Sequence, residues 1–419
     1  MFEKYIKNKD IHNLMFLVLQ NVANYVFPFI TFSYLIRTLG IEKFGLVSFV
    51  NAIFAYIIII VEYGFVISAT KDISIFKDDR EKVNKIISVV LSVKLLLFLI
   101  CNILLFITYP INTYLSSNIG LYLVTIIVAF GQSFFPIWFF QGIQTLKSIT
   151  ITNIIVKIIQ TLLVFVLIKN SDDTIIYQLI NGFCGLFVLV VLYSSIFWKY
   201  KFRFTKVTSN DIKISLKEGW TLFISNVSVT LYTNTVSVLL GFFHGNLYVG
   251  YYAASEKLIS AFKALISPIS QIVFPKVVAL SQKSRQAVLA YNKKILIYGL
   301  GIFILLGFGI MLFSEQMLLI VFGQYNSNSD TILKIMSFLP LILFLHSIFA
   351  LCTLLVFSEN KVYSRIIISA GIINIVLGTL LIYFFKDIGA ASTVIIIEFY
   401  ILLRYIHATE KKGYSLLKT

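Results

Sequence analysis

The sequence predicts an all-α polytopic membrane protein of about twelve transmembrane helices in two pseudo-symmetric six-helix bundles. Three observations carry this. The 419 residues are 58% hydrophobic and only 13% charged, with a mean hydropathy of +0.91, whereas a soluble domain carries about 25% charged residues. The apolar stretches recur at the length of about 20 residues that spans a bilayer. Lys and Arg collect in alternate connections. No water-soluble fold could hide this much apolar surface, so the bilayer must act as solvent for most of the chain.

Spans are expected at 12–36, 45–70, 86–108, 119–141, 148–168 and 174–197, and then at 219–243, 251–275, 295–314, 331–357, 366–385 and 388–406. The first follows a short polar stretch and is too long for the core of a signal peptide, so it reads as a retained helix. Cys101, Cys184 and Cys352 each lie in an apolar run and read as packing residues.

Charge gives the orientation. Of the 35 Lys and Arg, 26 fall in the N-terminus, the even-numbered connections and the C-terminus; only Arg37, Lys43, Lys169 and Lys386 fall in the opposite connections. This asymmetry places both termini in the cytoplasm. The net charge of +16 is then an orientation signal and a membrane-surface charge, so no nucleic-acid partner is expected. The most polar connection, 198–218, is basic with interleaved aromatics and reads as an interfacial cytoplasmic linker. It separates an N-terminal bundle, 1–197, from a C-terminal bundle, 219–419.

The halves look duplicated. Gly40 and Gly45 map onto Gly245 and Gly250 at an offset of 205 residues, which also maps Asn21 onto Asn226. Six helices per half make equivalent helices parallel, a repeat about an axis along the membrane normal.

Polar residues inside spans are costly and mark pathways or sites. Glu256, Ser260, Lys263, Ser267 and Ser270 follow 4-3-4-3 spacing and share a helical stripe about 80° wide. Lys263 lies about 20 Å past Gly250 at 1.5 Å per residue, near the midplane. Asn153, Lys157 and Gln160 share a face of the fifth span, and Asn51 and Glu62 a face of the second. Gln20, Asn21 and Asn24 stand in the first span and Asn226 in the seventh.

Isolated Asn, Ser and Thr suit helix–helix hydrogen bonds. Lys157 and Lys263 suit this less well, because an unpaired buried ammonium needs water or an anion. They suggest a hydrated cationic cavity for an anionic substrate, with Lys257 nearer the external end. Glu62, Glu256 and Glu398 are candidates for ion coupling, by H+ or Na+. Lys94 and Lys334 read as interfacial, snorkelling residues, and His346 as a hydrogen-bonded packing residue. Neither a phosphate-binding loop, a zinc spacing nor a nucleophile elbow is present, so the chain reads as a transporter without cofactor or metal rather than an enzyme.

Residues 21–52 and 61–74 resemble the amino-terminal signature of Wzx-type O-antigen flippases, in the multidrug/oligosaccharidyl-lipid/polysaccharide (MOP) exporter superfamily. The resemblance rests on Gln20, Asn21, Pro28, the Tyr34–Arg37 run, Gly40, Gly45, Gly64, Phe65, Ala69, Thr70, Asp72 and Ile73. GQSFFPIWFFQGIQ at 131–144, with Trp138, Gln141 and Gly142, looks like a second segment of the family. The resemblance implies a MATE-like pair of bundles working by alternating access. It also implies a substrate: an undecaprenyl-diphosphate-linked oligosaccharide, an O-antigen or capsule repeat unit, moved from the cytoplasmic to the periplasmic leaflet of the inner membrane. Polysaccharide polymerase and chain-length machinery are the protein partners it implies. Lys157 and Lys263 would offset the diphosphate's desolvation, and Arg37 would receive or gate it at the external end. Three other readings stay open. A peptidoglycan-precursor flippase usually carries extra helices beyond twelve. A cation-coupled multidrug antiporter of the same superfamily would favour acidic cavity residues. A membrane-embedded glycan polymerase would carry a large external loop, and here 109–118 and 315–330 are short.

Overall fold

The computed structural model describes residues 26–107 and 117–416. It is all-helical over the described residues. The helices are α1 (Val26–Leu39), α2 (Ile41–Phe76), α3 (Arg80–Ile107), α4 (Ile119–Gly142), α5 (Lys147–Leu167) and α6 (Thr174–Lys199), followed by α7 (Ser209–His244), α8 (Asn246–Ser281), α9 (Arg285–Leu312) and α10 (Ser327–Leu355). The last helical stretch, Asn360–Lys411, turns at Lys386 (φ 53, ψ −129) and so comprises α11 (360–385) and α12 (387–411). The multi-pass membrane fold is therefore as expected. A short helix, Ser314–Phe322, occupies much of the connection expected to be a loop. Gln20, Asn21 and Asn24, with most of the first span, lie outside the described residues.

The chain forms two compact units: α1 with residues 50–230, and residues 40–49 with 231 onward. Residues 198–218 lie wholly in the first unit.

In the first unit, small residues let α4 and α6 approach. A Cβ on Gly131 would stand 3.3 Å from Gly185, and one on Gly182 would stand 3.0 Å from Ile127. The two segments that resemble the flippase signature pack on each other: Thr70 Oγ1 donates to Trp138 O at 3.2 Å, and a Cβ on Gly142 would meet Ile73 at 2.6 Å. The basic connection is strapped along α3. Arg80 Nη2 donates to Lys201 O (2.6 Å), and Arg203 N and Thr205 N donate to Asn84 Oδ1 (3.3 Å) and Ser88 Oγ (3.0 Å). Four-residue steps on a helix rise about 6 Å, and two-residue steps on an extended chain advance about 6.6 Å, so the two ladders stay in register. Lys85 then pairs with Asp211 at 2.5 Å. With Thr208, it holds the Asp211 carboxyl down at about 2.

In the second unit the duplicated glycines meet. Gly40 and Gly245 both take left-handed φ values, 79° and 85°, just before α2 and α8 begin. A Cβ on Gly45 would lie 2.0 Å from Asn246 O, and one on Gly250 would lie 2.1 Å from Ile41 O. These contacts exchange under the 205-residue offset, the reciprocity of a two-fold contact. Glycine is required because backbone touches backbone. Gly299 and Gly307 of α9 receive the rings of Phe344 and Phe338. Where α10 loosens to a π-helix at Ser347–Leu355, Asn292 Nδ2 donates to the Cys352 carbonyl at 2.7 Å.

Candidate functional site

The first unit holds an open-sided cavity of about 660 Å³, within the range of small-molecule sites. Its polarity follows from helix spacing. On α5, Ile151, Ile155, Ile158, Ile159, Leu162 and Val166 form the exposed apolar face, which leaves Asn153, Lys157 and Gln160 turned to the cavity. Lys157 stands about 15 Å along α5 from Lys147 at 1.5 Å per residue. It is half-buried, and among the described residues it makes neither an ion pair nor a hydrogen bond. It is also the one charged residue among those lining this cavity.

Amides from α2, α5 and α6 and a hydroxyl from α4 form a hydrogen-bonded chain around it. Gln160 Nε2 donates to Asn181 Oδ1. Asn181 Nδ2 donates to Gln178 Oε1 at 3.1 Å, and Gln178 Nε2 donates to Asn51 Oδ1 at 2.7 Å and Thr125 Oγ1 at 3.2 Å. Gln178 is 0% exposed and acts as the node, while Asn51 is exposed to the cavity. Sequence reasoning found Asn51, Asn153, Lys157 and Gln160 and missed Thr125, Gln178 and Asn181. The three-residue step from Gln178 to Asn181 in an apolar span was the available signal.

The floor of this cavity is a broken helix. Pro136 lacks the amide hydrogen that would continue α4, and the helix loosens over 134–136. Two carbonyls are released at the break. Lys94 Nζ donates to Ser133 O at 2.6 Å, and Tyr193 Oη donates to Phe134 O at 2.9 Å. An ammonium at a helix C-terminus also meets the negative end of the helix dipole. Gln132, Phe135 and Ile137 around the break face the cavity. Lys94 is 1% exposed, which corrects the expectation of a snorkelling, interfacial residue: its position midway along α3 leaves the ammonium no route to the surface.

The second unit holds a different arrangement. Lys263 Nζ contacts Glu256 Oε1 at 2.7 Å, and Ser260 Oγ donates to the same oxygen at 2.6 Å. This corrects the expectation that Lys263 is unpaired; the 4-3 spacing that defines the stripe also brings a carboxylate within reach. Lys263 is the last residue of the first segment of α8, Asn246–Lys263, again at a helix C-terminal end. Lys257 is exposed. Glu398 is 7% exposed. His346 Nδ1 lies 3.3 Å from Glu398 Oε2 without hydrogen-bond alignment, and that oxygen has no hydrogen-bond partner. The other ring nitrogen of His346 lies 3.0 Å from the Glu398 carbonyl.

Arg37 is exposed at the end of α1, and half-buried Asn226 is not among the residues lining the first unit's cavity. Lys157 belongs to the first unit and Lys263 to the second. Among the described residues no three His, Cys, Asp or Glu cluster as metal ligands.

A family model described as "Polysaccharide biosynthesis protein" matches residues 11–281. The chain is 30% identical over 404 residues to the "Putative O-antigen transporter" of Shigella dysenteriae, covering 95% of this chain and 99% of that protein. It is similar in fold to the solved lipid II flippase MurJ in an inward closed conformation, with a TM-score of 0.73 at 15% identity, covering 95% of this chain and 89% of that one. It is also similar to a multidrug resistance MATE family transporter of the MOP superfamily in its inward-facing conformation, with a TM-score of 0.70 at 13% identity and 96% coverage of both chains.

Proposed function

Because the chain belongs to the polysaccharide biosynthesis protein family, as a Wzx-type flippase of the MOP superfamily, we propose that it moves an undecaprenyl-diphosphate-linked oligosaccharide from the cytoplasmic to the periplasmic leaflet of the inner membrane by alternating access. Both termini are cytoplasmic in this reading, which rests on the distribution of Lys and Arg.

The observation that carries the substrate is Lys157. Its ammonium faces a cavity whose lining holds no other charge. A diphosphate supplies the missing anion, and a charge-assisted hydrogen bond offsets part of its desolvation. Lys263, in the second unit, is held by Glu256 and is open to an anion only when Glu256 releases it. Arg37 and Lys257 attract the headgroup near the external side. Glu62 and Glu398, the latter beside His346, are the carboxylates through which H+ or Na+ drives the cycle, with Glu256 as the exchangeable partner of Lys263.

A multidrug antiporter would need a carboxylate facing an organic cation, and the sign of charge in the first unit's cavity argues against it. Deleting the gene tests the reading. Surface polysaccharide should disappear while lipid-linked units accumulate on the cytoplasmic side; unchanged surface glycan in a strain without a paralogue refutes it.

A further inference from the structure

Lys157 accounts for a diphosphate but not for the rest of the cavity. The remaining polar lining is neutral and amide-rich: Asn51, Gln132, Asn153, Gln160, Gln178 and Asn181. Each amide offers two donors and an acceptor. A simple anion site would need donors alone, and a cation site would need carboxylates. Groups that both donate and accept match sugar hydroxyls, which do the same.

The amides are also held in place. Gln178 is fully buried, and it orients Asn51 on one side and Asn181 on the other. Asn181 in turn fixes Gln160, one turn from Lys157 on the same face of α5. The half-buried rings of Phe135 and Tyr177 stand in the same wall and supply apolar faces for sugar rings. The side chains along the ladder are therefore set before a substrate arrives, which lowers the ordering cost of binding.

We propose that the amide ladder from Asn51 through Gln178 and Asn181 to Gln160 is a glycan subsite. It takes the uncharged, hydroxyl-rich sugars next to the diphosphate that Lys157 holds. Asn51 touches the sugar; Gln178 is a positioning residue. This deepens the flippase reading and rests on it.

The test uses the full chain in proteoliposomes and two lipids: bare polyprenyl diphosphate, and the same lipid carrying a neutral trisaccharide. The readout is the ratio of their transport rates. Asn51→Ala and Gln178→Leu should each lower the rate for the glycan-bearing lipid about tenfold relative to the bare lipid, the factor that corresponds to about 1.4 kcal/mol. Lys157→Gln should lower both rates by similar factors and leave the ratio in place. Asn51 is exposed to the cavity, so its variant reports even if Gln178→Leu fails to fold. A ratio within twofold of wild type in Asn51→Ala overturns the subsite. Wild-type protein that moves neither lipid overturns the flippase reading and the subsite with it.

Discussion

Lys94→Met removes a buried ammonium whose Nζ donates to Ser133 O at 2.6 Å, at the break in α4. An orphaned buried carbonyl costs about 1–3 kcal/mol. Methionine fills most of the volume of the lysine stem, so the loss is electrostatic rather than a cavity. The expected destabilisation is therefore about 1–3 kcal/mol, read as a shift in the unfolding midpoint of the protein in detergent. Lys94→Arg should keep most of the stability. A Lys94→Met protein within about 0.5 kcal/mol of wild type, the usual range of surface substitutions, would refute the role at the helix break.

Three further outcomes are expected. Gly45→Ala would place a methyl 2.0 Å from Asn246 O, a clash between backbones; overpacking of this kind costs about 1–3 kcal/mol, measurable as a lowered thermal midpoint, and Gly301→Ala, with open space around its Cβ, is the control. The strap's ion pair has a defined pH window: Asp211 is held down at about 2 by Lys85 and Thr208, below its unfolded value, so the contribution is complete above about pH 4 and is lost as pH falls through about 2. Hydrogen exchange over residues 200–212 should be unaffected by protonation of Asp211 from pH 8 to 5, once corrected for intrinsic rates, and accelerate only below about 4. Lys157→Cys, in a chain whose Cys101, Cys184 and Cys352 are replaced by Ala, should react with a hydrophilic thiol reagent; full protection in folded protein would deny that the cavity is wet.

The sequence by itself determined the class of fold, the order of the spans and the amphipathic faces. These follow from hydrophobic length and from helical spacing, which are local quantities. It marked Lys157 with Asn153 and Gln160, because a 4-3 step on a helix brings residues to one face wherever that helix lies. It also marked the duplicated glycines, though not that Gly45 and Gly250 pack against each other's helix starts.

Pairings between distant helices were decided by tertiary structure. Lys94 reads as interfacial because nothing near it in sequence reveals the Ser133 carbonyl at the break of α4. Lys263 read as unpaired although Glu256 shares its stripe, since spacing shows that two charges share a face but not that their rotamers close an ion pair. Gln178 became the centre of the site only when α2, α4 and α6 met around it. Helical period is encoded within each segment, whereas the partner of a buried polar atom depends on which segments the bundle brings together, and that is fixed by packing the whole unit.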